Sequence, residues 1–201
     1  LRIGFLEGGV SWACSLYADL IGHWSKRNAN AIQDLDPDRL DVDGLMAYIE
    51  KYGDETMLGQ IGRLRDFFSR PAARPKEIDD FSRVNIKNKE DIKNKFVPNF
   101  FFGCEADDPM LAWAFADKIN PMGAQLQAMI GSDIAHWDVV DMTEPVEEAY
   151  EMVEHGQITE ENFRDFTFTN PLKLHAGMNP KFFEGTIIEK YAADVITAGI
   201  D

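Results

Sequence analysis

Gly131-Ser132-Asp133-Ile134-Ala135-His136 sets a carboxylate at the end of an apolar run and an imidazole three residues later. An ionised acid at the end of a strand buried on both faces is costly unless hydrogen bonds or a cation compensate it. A divalent metal ion on Asp133 is the chemically sharp reading. The plain one is a turn in which Ser132 and Asp133 satisfy backbone N–H groups. His136 can contact substrate or buttress Asp133, or simply pack beside Trp137 with one nitrogen satisfied. The same order of an apolar run and then acid occurs twice more, at Glu7-Gly8-Gly9 and at Glu105-Ala106-Asp107-Asp108. If Glu105, Asp107 and Asp108 face one pocket, like-charge repulsion raises at least one pKa. Glu105 is the substrate-side candidate of the three, and Asp107 and Asp108 suit an N-cap before Pro109.

These acids need elements to hold them. Residues 1–6, 99–104 and 126–130 read as three short strands, each followed by helical spacing. Trp12, Leu16, Leu20 and Trp24 recur every fourth residue with Ala13, Tyr17 and Ile21 beside them, one wide apolar stripe; Pro109 opens a run with Leu111, Ala112, Phe115 and Ile119 on one face. Thr143 precedes Glu144-Pro145 and a stripe of Val146, Ala149, Tyr150 and Val153. Alternating strand and helix predicts an α/β fold with parallel strands, whose chemistry gathers at the strands' C-terminal ends. Glu7, Glu105 and Asp133 would share that edge. Periodicity leaves open whether the sheet is an open doubly wound one or part of a closed barrel, and no G-x-G-x-x-G turn points to a dinucleotide.

The Gly-Ser-Asp-x-x-His element and Glu7-Gly8-Gly9-x-x-Trp12 resemble the metal-dependent amidohydrolase superfamily, in its branch of aminocarboxymuconate-semialdehyde decarboxylase-like proteins. Residues 1–12 look like the sixth strand and turn of a TIM-type (β/α)8 barrel, 99–109 like the seventh, 130–136 like the eighth, and 158–174 like the closing helix with its Asn-Pro. The resemblance implies a partial barrel domain over 1–201 with a helical insertion at 28–97. It also implies one divalent ion, zinc or alternatively manganese, bound by Asp133, which can handle the proton of an attacking water. The substrate it implies is a small carboxylate-bearing molecule, cleaved by hydrolysis or non-oxidative decarboxylation. Glu7 stands where the decarboxylases carry a catalytic His, so it would bind substrate or relay a proton; Trp12 can wall the pocket beside Gly8 and Gly9, though it also begins a core stripe, the favoured reading. The family's His-x-His pair has no counterpart among His23, His136, His155 and His175. The expectation is therefore the C-terminal part of a longer enzyme, inactive alone. The alternative is a non-catalytic binding or assembly protein that keeps part of the barrel.

A net charge of −15 argues against nucleic acid or an anionic membrane as partner. No apolar run reaches the roughly 18 residues of a membrane span, and two cysteines make no disulfide framework. A cytoplasmic setting follows as the default. Three strand-helix units leave strand edges unpaired, so self-association as a homo-oligomer is expected.

Between Asn28 and Lys95, helices are predicted over 43–52 and 55–68, separated by Gly53, then a linker at Pro71–Pro75 and an alternating-charge stretch at 87–95. Asp34-x-Asp36-x-Asp38 invites a calcium reading, but Arg39 and Leu45 stand where an EF-hand loop needs Gly and Glu, and acids capping the next helix explain it better. His155 before Gly156 reads as a helix C-terminus, and His23 as exposed.

Overall fold

The computed structural model describes residues 1–33, 36, 39–70 and 79–197, so Asp34, Asp38 and the 71–75 linker lie outside the described residues. In chain order the elements are β1 (Ile3–Phe5), α1 (Ser11–Arg27), α2 (Val42–Tyr52), α3 (Glu55–Leu58), α4 (Ile61–Ser69), α5 (Lys89–Phe96), β2 (Phe100–Glu105), β3 (Gln127–Gly131), α6 (Pro145–Glu154), α7 (Glu160–Arg164), α8 (Asn170–Ala176) and α9 (Glu189–Thr197). Tighter 3₁₀ turns occur at Ser82–Val84, Pro109–Phe115 and Pro121–Gly123, and a π segment, Asp165–Thr169, joins α7 to α8. The chain divides into two compact units: Gly22–Lys87, and Leu1–Ile21 with Asn88–Asp201.

The second of these carries the sheet. Its three strands run parallel in the order β1-β2-β3, with Gly4 opposite Phe101 and Glu105 opposite Gly131. The fold is α/β, as the alternation of patterns predicts. Central β2 is buried on both faces, and adjacent residues serve different helices because side chains alternate. Phe102 meets Phe5 and Trp12 of α1 at ring separations of 5.8 and 5.6 Å, and Phe96 of α5 at 6.2 Å. Phe101 instead clusters with Met129 and Leu174 of α8. The Arg2 guanidinium lies over the Phe101 ring at 5.9 Å and donates to the Lys173 carbonyl. Helices therefore cover both faces.

The segment 159–176 is one helical run. Thr159 and Asn162 cap its start reciprocally, each side chain accepting the other's backbone N–H. The π turn falls just before Pro171, which has no N–H to continue the ladder, and Asn170 reaches five residues back to the Asp165 carbonyl. Buried Asn170 donates through Nδ2 to the Ala128 carbonyl of β3 at 2.9 Å.

The predicted helices differ in detail. In α1 the buried residues are Ala13, Cys14, Tyr17 and Ile21; Ala13, Tyr17 and Ile21 belong to the predicted stripe, whose other side, with Trp12 and Leu16, is more exposed. The run after Pro109 ends at Phe115 as a 3₁₀ turn, leaving Ile119 exposed. α6 buries Ala149 and Met152 rather than Val146 and Tyr150, and Thr143 turns back to Asp141 instead of capping.

In the unit Gly22–Lys87, α2 forms as predicted, with Met46 and Ile49 buried and the Asp41 side chain accepting from Gly44 N–H. Gly53 ends it. The predicted 55–68 helix breaks at Gly59-Gln60 into α3 and α4, neither with a buried residue. The 87–95 charge stretch is helical as α5; an Asn88–Asp91 capping box starts it, Ile92 and Phe96 anchor it, and it belongs to the sheet unit. No helix among the described residues is long and apolar enough to cross a membrane.

Candidate functional site: an acidic edge of the sheet

The parallel register brings the ends of all three strands to one edge, where Glu7, Glu105 and Asp133 follow or finish β1, β2 and β3. Two of them sit in the left-handed region that disfavours side chains, Glu7 at φ 59° and Asp133 at φ 46°, with Ala135 at 85°. Non-glycine residues held this way cost about 1–3 kcal/mol each, so the surrounding chain must hold them.

Gly103 shows how that is done for Glu7. A Cβ there would stand 3.2 Å from Leu6 Cα and 3.4 Å from Glu7 N, so glycine lets the β1–α1 turn lie against β2 without crowding its backbone. The Gly103 carbonyl accepts from Gly9 N–H at 3.1 Å, and Trp12 Nε1–H donates to the Gly9 carbonyl at 3.1 Å. Trp12 packs edge-on to Phe5 and Phe102, bracing the turn.

Two clefts open along this edge, and Glu105 borders both. A cleft of about 260 Å³ is lined by Glu7, Glu105 and Asp108 with the glycine turn. The other, about 280 Å³, takes Glu105 and Asp107 from β2 and its loop, and Asp133, Asp138 and Asp141 from the loop after β3. Glu144 and Glu148 at the start of α6 complete it, with Val139, Val140 and Pro145 as apolar wall. Among the described residues lining it there is no Lys, Arg or His.

Glu105 has its pKa raised, by desolvation first and then by the charges of Asp133, Asp107, Asp108 and Asp138. That is the like-charge effect expected of clustered acids, with desolvation added. Asp108 caps the 3₁₀ turn by accepting from Met110 N–H at 2.9 Å, as predicted. Asp107, expected as a cap, faces the cleft instead, because one side chain suffices for that turn. Asp141 is held below the usual carboxylate range by the Thr143 hydroxyl and then its N–H, so it anchors a turn.

His136 approaches Asp133, Nδ1 to Oδ2 at 3.5 Å, and its N–H donates to the Asp133 carbonyl at 2.9 Å. His136 and Trp137 are not packed together in a core: the imidazole is 59% exposed and Trp137 91%. A zinc or manganese site needs about three protein donors, and among the described residues no three His, Cys, Asp or Glu side chains converge on one point in ligand geometry. Asp133 and His136 alone fall short of that set.

The other histidines lie elsewhere. His155 ends α6 before Gly156 at φ 68°, as predicted. His23 is exposed and bonded to Asp80 at 3.0 Å, and His175 stacks on Phe182 at 4.5 Å. Cys14 and Cys104 are buried free thiols, pushed up to about 11 and about 12 chiefly by burial, and so are protonated and unreactive. Sequence reasoning did not single out Asp138, Glu144 or Glu148 for the cleft. The spacing of acids between 133 and 148 was the available signal, but only the path of the loop turns them toward one another.

No protein-family model matches the chain, and comparisons with curated proteins and with solved structures return no match either.

Proposed function

We propose that this chain contributes the acidic half of a hydrolase or carboxy-lyase site of the metal-dependent amidohydrolase type, acting on a small organic molecule. The observation that carries the reading is the meeting of Glu7, Glu105 and Asp133 at the C-terminal edge of a parallel sheet, with a carboxylate and an imidazole 3.5 Å apart. Asp133 and His136 do not make a complete metal site among the described residues, and a resident ion would need further donors beside them. Asp133 accepts a proton from water at the mouth of the cleft. His136 orients that carboxylate. Glu105, its pKa raised by desolvation and by the neighbouring acids, is the group placed to donate a proton to a leaving group. A closed barrel would require the Phe101 and Met129 face, which α8 covers here, to be lined by strand side chains instead.

The test uses the complete polypeptide that carries this sequence, with zinc and manganese measured by elemental analysis beside turnover of amides, lactones and aromatic carboxylates. Asp133→Asn keeps the shape and removes a proton acceptor, so turnover falls by orders of magnitude while the fold is retained. Protein that holds no metal, gains nothing from added metal and tolerates Asp133→Asn would establish the binding or assembly reading instead.

A further inference from the structure

The loop after β3 exposes several large apolar side chains close together in the sequence. Trp137 is 91% exposed, Val140 94% and Met142 61%, and Ile134 and Val146 on either side in the sequence are exposed too. A single exposed aliphatic residue is ordinary, but a run of them that includes a nearly bare Trp marks an interaction surface. Tryptophan is the residue most enriched among those that dominate binding energy at interfaces. The same loop lines the cleft with Asp133, Asp138 and Asp141, and Val140 belongs both to that lining and to the exposed apolar run, so apolar side chains stand next to the carboxylates.

We propose that this rim is a docking surface for a basic, amphipathic peptide segment. Its apolar side chains seat on Trp137, Val140 and Met142, and its Lys or Arg side chains reach the carboxylates at the cleft mouth. Charge complementarity selects this occupant. A second copy of the chain, itself at −15, would set carboxylates against carboxylates on this face. Nucleic acid and anionic membranes are repelled for the same reason. A basic peptide meets no competing cation among the described residues lining the cleft. The proposal stands on the exposed rim and its charge, and so is independent of whether the cleft is catalytic.

The experiment is calorimetric titration of the 201-residue chain with a synthetic peptide of Lys and Leu at helical spacing. Two control peptides have Glu in place of Lys, or Ser in place of Leu. The Lys-Leu peptide should bind, with affinity that falls as salt rises, and should outcompete both controls. Trp137→Ala should weaken it at least about tenfold, with Val140→Ser as a second variant should the first alter the melting curve. Asp138→Asn with Glu148→Gln should weaken binding, whereas Glu160→Gln with Glu161→Gln, the same charge change on α7, should not. Equal loss from both pairs means general attraction to an acidic protein and overturns the proposal. So does an affinity indifferent to both rim variants. No response to peptide, with Trp137-dependent binding to phosphatidylcholine vesicles, assigns the rim to a lipid surface instead.

Discussion

In the unit Gly22–Lys87 several of the described acids each have a partner of their own. Asp41 accepts from Gly44 N–H at 2.9 Å, Asp54 from Met57 N–H at 2.8 Å and Asp79 from Phe81 N–H at 2.9 Å; Asp43 pairs with Arg65, and Asp80 with Arg27 and His23. At the C-terminal edge of the sheet, Glu105, Asp107, Asp133 and Asp138 instead face one another. The electrostatic outcome is opposite. Asp80 has its pKa lowered, first by its hydrogen bond from Arg27 and next by that from His23, whereas Glu105 has its pKa raised. Acids with local partners build structure; acids gathered without them store repulsion that a cationic ligand or a proton relieves.

The largest effect separating the two regions should come from Gly103→Ala. The added Cβ meets backbone at Leu6 and Glu7, which cannot rotate away, so the cost should be about 1–3 kcal/mol by denaturant melting. No loss there would mean that β2 does not hold the Glu7 turn. Next, Asp54→Ala should cost about 1 kcal/mol by removing a cap, while Asp107→Ala at the acidic edge should be neutral or stabilising. Equal losses would erase the contrast.

The smallest effects are in pH dependence, and their signs differ. Asp80 has a folded pKa below its usual 3.8, so its contribution is present above that value and lost as pH falls through the folded one. Asp80→Asn should therefore lower the melting temperature slightly at neutral pH and make no difference in acid. Glu105 has a folded pKa above 4.5; the native state holds its proton more tightly, and that advantage fades as pH rises through the folded value. Glu105→Gln should leave the melting temperature unchanged or slightly higher at pH 7. A fall at pH 7 would show that Glu105 has a cationic partner.

The three strands, their parallel sense and the shared edge of Glu7, Glu105 and Asp133 were legible because short apolar runs ending in acid, alternating with helical spacing, admit few arrangements. The caps at Asp41 and Asp108 were legible too, since capping is local chemistry within three residues. The apolar stripes of α1 and α6 were legible, but which of their residues are most buried was not, because only the neighbouring elements choose among them. The break at Gly59-Gln60 was likewise decided outside the local pattern, whereas the helix at 89–96 is one of the two states, solvated or weakly helical, that charge alternation left open. Sequence alone determined which groups could do chemistry and at which end of the sheet they stand. Tertiary structure decided which acids meet and which are partnered, because repulsion, desolvation and close approach at Gly103 depend on distances through space that residue order does not contain.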